Sequence, residues 1–332
     1  MQMSISGVRD ILINAGKGFA KDRIPKLSAS LAYYTIFSIG PMMIVIIYLA
    51  DLFWGRQAIE GSIYEQVKDL VGNQAALQVQ EIIKNASVSG NNTVTAVVGF
   101  IALLVGATTV FSEIQDSTNF IWKLKVKSKK GWLKMLLNRL LSFSLVVSLG
   151  FLLLVSLILN ALVEKFMDRL QELFPSTAVV FVYLANLVIT FVIIWSLFAI
   201  IFKVLPDALI RWKDVAVGSF FTALLFMAGK FGITYYIGRS NIGSTYGTAG
   251  SLAILLLWVY FSAIILYFGA EFTKAYAMKY GEEIKPNDYA VMVQTVQVES
   301  RKRNLQENEQ DTGKTEEALQ KTKDQIDRGE IH

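Results

Sequence analysis

Long apolar runs separated by polar connections dominate the chain, at roughly residues 31–53, 94–111, 140–163, 177–202, 215–237 and 250–276. Within each run hydrophobicity is continuous rather than alternating, the pattern of a membrane-spanning helix and not of a barrel strand. A run of about 20 residues rising 1.5 Å per residue crosses a hydrocarbon layer of about 30 Å. The pattern predicts an all-α membrane protein, a bundle of six transmembrane helices. Around the last run, Gly250, Ser251, Ala253, Ser262, Ala263, Gly269 and Ala270 are interspersed with large side chains. Small residues let membrane helices approach closely, so this helix is expected to be the one against which the others pack.

The polar connections are patterned too. In residues 4–24, Ile5, Val8, Leu12, Ala15 and Phe19 fall on one helical face, with Arg9, Lys17, Lys21 and Arg23 elsewhere. Such a segment, within an expected amphipathic unit 1–30, either lies in the interface of an anionic leaflet or packs beneath the bundle. Pro25 is expected to end or kink it, and Gly40-Pro41 to kink the first span, since proline removes a backbone donor. Ile63, Val67, Leu70 and Val71, then Leu77 and Ile82, predict two short amphipathic helices in the 54–92 connection. From about 281 the sequence turns to Gln, Asn, Glu and Lys with no aromatic after Tyr289, which reads as a polar, disordered tail over 281–332.

Charge orients the bundle. The whole chain carries +5; its segment 281–332 holds eight Lys and Arg against twelve Asp and Glu, so residues 1–280 carry +9. The most basic connection holds Lys123, Lys125, Lys127, Lys129, Lys130, Lys134 and Arg139, and the 203–214 connection adds Lys203, Arg211 and Lys213. Positive residues concentrate on the cytoplasmic side. Segments 1–25, 112–138, 203–214 and 277–332 are therefore expected inside, and 54–92, 164–176 and 238–249 outside, with both termini cytoplasmic. The excess also favours contact with anionic lipid headgroups. With Trp122 and Trp132 flanking the lysines, a nucleic-acid patch is conceivable, but juxtamembrane lysine beside interfacial tryptophan is the ordinary look of a cytoplasmic loop.

Enzymatic chemistry finds little support. There is no cysteine, and the one histidine is His332, so Ser-His triads and histidine-based metal sites have no material in the apolar region. No metal, no cofactor and no catalytic residue is expected. Glu113 and Asp116, three apart at the inner end of the second span, serve either as an ion site or as acids facing the basic loop. Glu271 closes the last span and is expected to cap the 203–214 connection through Arg211 or Lys213. Lys230 is the residue that stands out: counted from Val215 it lies about 22 Å along the fifth span. A lysine at such depth costs at least about 2.5–3.5 kcal/mol unless it snorkels or is paired. Asp51 in the first span and Asn186 in the fourth are placed by the same count in the outer half. Lys230, Asp51 and Asn186 together form either a site for an anionic headgroup or an interhelical clasp.

Three segments carry a family resemblance. The first is Ala29-Ser30-Leu31-Ala32-Tyr33-Tyr34 running to Ser38 and Pro41. The second is Leu205-Pro206-Asp207, then Arg211-Trp212-Lys213, Gly218 and LLFMAGK ending at Lys230. The third is Tyr246-Gly247, then Leu257-Trp258-Val259-Tyr260 and Gly269-Ala270-Glu271, with Asn119 and Trp122 fitting as well. Over about residues 5–280 the chain resembles the YihY/BrkB family of bacterial inner-membrane proteins, once labelled ribonuclease BN. The resemblance implies six spans with cytoplasmic termini, in agreement with the charge pattern. It implies no settled activity; the ribonuclease label sits poorly with a chain lacking a metal-binding nuclease cluster. Movement of lipid or glycolipid across the inner membrane, proposed for some members, suits a lysine facing a cavity. A transporter or flippase-like protein for a lipid-linked or amphiphilic anionic substrate is the leading expectation, and a non-transporting scaffold for envelope assembly the alternative.

Overall fold

The computed structural model describes residues 5–53, 77, 93–126, 175–239, 250–282, 284–288 and 290–293. The expected third span, 140–163, the two short helices expected within 54–92 apart from Leu77, and the sequence beyond Val293 lie outside the described residues.

Among the described residues six long helices carry the fold: α1 (Ile5–Lys21), α2 (Ile24–Phe53), α3 (Thr93–Ile121), α4 (Pro175–Val204), α5 (Trp212–Arg239) and α6 (Gly250–Tyr280). Each of the last five contains one of the apolar runs and extends it at one end or both. Among the described residues three stretches are long and apolar enough to cross a membrane: Leu187–Val204, Trp212–Ile237 and Leu252–Tyr280. Val188, Leu224, Phe231 and Leu252 point outward from these stretches, an apolar exterior that suits lipid rather than water.

Local chemistry sets the helix ends. Proline is tolerated in a first helical turn, where its missing N–H has no partner to lose, and both Pro25 and Pro175 stand in first turns. Pro25 therefore does not kink α1. That helix stops at Lys21, and Arg23, at φ 54°, turns the chain into α2. α3 runs past the apolar segment to Ile121 and is closed by Lys123 at φ 60°. These are left-handed conformations that cost a side chain free energy and persist where surrounding contacts impose them.

α6 is central. It packs against α1, α2, α5 and, less extensively, α3, while α4 packs on α5 and α2 on α3. Tyr267 and Ala270 are fully buried on it. α1 lies against the C-terminal part of α6, with Ile11 and Ala15 buried among Phe272, Ala275, Phe268 and Phe221. Packing against the bundle is what Ile11 and Ala15 of α1 do, while Leu12, expected on the same face as Ala15, is exposed.

Four short strands close one end. β1 (Leu124–Val126) pairs antiparallel with β4 (Ala290–Met292), and β2 (Ala208–Leu209) with β3 (Lys285–Pro286). The connections after α3 and after α4 are thus held by the segment following α6. Ile284 and Ala290 are buried there, so ordered structure continues beyond the boundary that composition places at 281.

Candidate functional site

The α5–α6 crossing is built from glycine and threonine. Gly218 and Thr222 stand one turn apart on α5, Gly269 and Thr273 one turn apart on α6. A Cβ at position 218 would fall 2.0 Å from Thr273 Oγ1, and one at 269 would fall 2.1 Å from Thr222 Oγ1. Each threonine hydroxyl donates to the carbonyl of its own helix's glycine, Thr222 to Gly218 at 2.8 Å and Thr273 to Gly269 at 2.7 Å. The hydroxyls are satisfied within their helices while the threonine side chains, oxygen foremost, fill the opposing glycine gaps, an antiparallel version of small-residue packing.

Below this crossing lie two buried polar clusters. In the first, Asp207 sits between α4 and β2, its backbone turned after Pro206. Asn119 Nδ2 donates to Asp207 Oδ2 at 2.8 Å, Gln115 Nε2 donates to Oδ1 at 3.1 Å, and the Asp207 N–H donates back to Asn119 Oδ1 at 2.8 Å. The Asp207 carbonyl accepts from the Asn287 N–H at 3.1 Å. A buried carboxylate is tolerable only when hydrogen-bonded in this way. One turn beyond Asn119, just past the end of α3, the Trp122 indole N–H donates to the Ala270 carbonyl at 3.1 Å, fastening α3 to α6.

The second cluster is ionic. Lys123 Nζ meets Asp22 Oδ1 at 2.6 Å, and Lys274 Nζ lies 3.6 Å from Asp22 Oδ2 and 3.0 Å from Glu271 Oε2. Lys274 also donates to the Ile121 carbonyl at 2.8 Å. Burial alone would raise the Asp22 carboxyl. The hydrogen bond from Lys123 and the charges of Lys274 and Lys123 outweigh it and hold the group below the usual carboxylate range. Gly18 of α1 allows the approach, because a Cβ there would lie 2.4 Å from Glu271 Oε2. The two left-handed residues, Arg23 and Lys123, flank this cluster.

The residues expected to matter are distributed as follows. Asn119, Trp122, Pro206, Asp207, Gly218, Gly269, Ala270 and Glu271 gather around the α3–α5–α6 contacts and the two clusters. Glu271 does not cap the 203–214 connection: its salt bridge is to Lys274, while Arg211 pairs with Glu282 at 2.5 Å. Glu113 is half-buried and Asp116 exposed. Trp212 is exposed, with Lys203 Nζ 5.6 Å above its ring. Tyr33 is exposed and Tyr34 half-buried, with their rings edge to face. Trp258 meets Phe226 edge to face at 6.2 Å. Lys230 is half-buried on α5, next to Gly229, whose missing Cβ makes room for Ile265. The side chains of Pro41, Asp51 and Asn186, and residues Tyr246 and Gly247, lie outside the described parts.

Long apolar helices locked by small residues and buried polar ties define an α-helical membrane protein. The chain matches the family model "Virulence factor BrkB" over residues 15–291, and it belongs to that family. It is 28% identical over 265 residues to a UPF0761 membrane protein of Tolumonas auensis, covering 76% of this chain and 80% of that one. It is 26% identical over 273 residues to a counterpart in Pseudoalteromonas atlantica, covering 80% and 86%. A third, from Haemophilus influenzae, is 24% identical over 257 residues, covering 77% and 90%. No solved structure matches the chain.

Proposed function

We propose that this protein is a transporter or flippase-like protein for a lipid-linked or amphiphilic anionic substrate in envelope biogenesis. It would sit in the bacterial inner membrane with both termini in the cytoplasm, and it is assigned no catalytic role. The observation that carries the reading is Lys230, a half-buried ammonium group within the apolar stretch Trp212–Ile237. An ionisable side chain inside a span is costly and marks a ligand path or a paired site. An ammonium at that depth suits the phosphate or carboxylate of an amphiphile whose tails remain in lipid.

The discriminating experiment reconstitutes the purified protein in vesicles containing a fluorescent anionic lipid. Wild type is expected to accelerate lipid translocation and to gain thermal stability from anionic lipid. Lys230→Met should lose both effects, and Lys230→Arg should keep part of each because charge survives while geometry changes. A Lys230→Met variant that is destabilised, and restored by adding Asp51→Asn, would instead identify an interhelical clasp. A scaffold role is the second reading, favoured by the reciprocal glycine–threonine seating, which fixes α5 against α6. Absence of translocation in every variant would select it. For orientation, Ser128→Cys should be shielded from an impermeant thiol reagent in intact cells and Ser89→Cys labelled.

A further inference from the structure

The ionic cluster contains an arrangement that two ionised acids do not satisfy. Asp22, from the α1–α2 turn, and Glu271, from α6, keep only 4% and 2% of their side-chain surface exposed. One ammonium group, that of Lys274, approaches both, at 3.6 Å from Asp22 Oδ2 and 3.0 Å from Glu271 Oε2. Ionised carboxylates only accept, so two buried acids that share one ammonium group can hydrogen-bond to each other only when one of them carries a proton. Asp22 is well supplied as an anion, with Lys123 at 2.6 Å on one oxygen and Lys274 at 3.6 Å from the other. Glu271 is not: Lys274 serves Oε2, and the buried Oε1 has no hydrogen-bond partner among the described residues.

We propose that Asp22 and Glu271 form a proton-binding site inside the bundle, with the proton resident on Glu271 and donated towards an ionised Asp22. The ligand is the proton itself, and the inference stands independently of the transport reading. The charged groups facing Glu271 are Asp22 from the α1–α2 turn and Lys274 from its own helix, while Lys123 from the α3–β1 turn reaches the site through Asp22. α1 brings Gly18 to this point, whose missing side chain leaves room for the Glu271 carboxyl group against the helix. Lys274 favours the ionised acid; burial and the neighbouring carboxylate favour the neutral one. Because the site joins the α1–α2 turn to α6, its occupancy couples the protonation state to the seating of α1.

The test is infrared spectroscopy of the full-length protein in detergent across a pH series, with thermal melting in parallel. At about pH 6 an exposed glutamic acid, with a pKa of about 4.3, is ionised. Wild type is expected to retain a protonated-carboxyl C=O band there, and Glu271→Gln is expected to lose it. The glutamine should melt with wild type, since its amide offers Asp22 the same donor without a charge. Asp22→Asn should also lose the band, because the new amide supplies a donor and lets Glu271 ionise against Lys274. A wild type without the band, a band that persists in Glu271→Gln, or a Glu271→Gln protein that fails to fold would each overturn the proposal and leave an ionised structural clasp.

Discussion

Thr273 of α6 sits directly over Gly218 of α5, so close that any side chain at residue 218 would meet its hydroxyl and methyl groups. The contact is matched one turn away by Thr222 over Gly269. In lipid there is no hydrophobic drive to bring two apolar helices together, and close packing of this kind takes its place.

Gly218→Ala is therefore expected to destabilise the protein by about 1–3 kcal/mol, the usual cost of overpacking, despite alanine's better helix propensity. Thr273→Ala removes the two threonine atoms nearest the new methyl apart from Cβ and should restore part of the loss. Thermal melting of the two single variants and the double in detergent measures the coupling. Additive losses would show that the two positions do not share this contact.

Asp207 is expected to be far less replaceable than a surface acid. Asp207→Ala strands the amides of Asn119 and Gln115 in a buried place, and each unsatisfied donor costs about 1–3 kcal/mol. In that background Asn119→Ala should cost less than in wild type, since only the bond its Oδ1 accepts from the backbone N–H of residue 207 is left to lose. Equal losses in the wild-type and Asp207→Ala backgrounds would show that the two do not act as a unit.

Acid should loosen the turn between α1 and α2. The Asp22 carboxyl is held below its ordinary value in the folded protein, so its contribution is complete above the unfolded carboxylate pKa of about 3.9 and fades as pH falls through the lower, folded value. Wild type should lose melting temperature in that acidic window, and Asp22→Asn should lose less over the same range. An unchanged acid limb in the variant would place the acid sensitivity elsewhere.

Truncation at two points weighs the C-terminal strands. The compact unit that includes the helices ends at Val293. Removing 294–332 should leave the melting temperature in detergent nearly unchanged. Removing 284–332 also deletes β3 and β4, together with the Asn287 and Val293 bonds to Asp207 and Lys123, and should lower it. Equal stability of the two truncations would show that the strands contribute nothing.

The helices are legible in the sequence because continuous apolarity over a bilayer's thickness suits little besides a spanning helix, and the centrality of α6 is legible in its small residues. Helix ends are less so. Ser112–Ile121 reads as polar loop by composition yet continues α3, since Gln115 and Asn119 find Asp207 across a sequence separation no local pattern reveals. Asp22, Lys123 and Lys274 give no signal individually; Lys123 is one of seven basic residues in its segment. Glu271 is visible, but its partner is not, because charge bias along a chain does not say which lysine folds back. The α5–α6 crossing does leave a local trace: Gly-x-x-x-Thr occurs on both helices, the spacing that lets each threonine cover the other helix's glycine.

The strand pairs have a consequence in time. β3 and β4 follow all the described helices, yet their partners β2 and β1 leave the ribosome much earlier. During synthesis the loops after α3 and α4 wait open, and only a chain completed past Met292 can fasten them. A product that stops short of Met292 lacks the strands that fasten both loops.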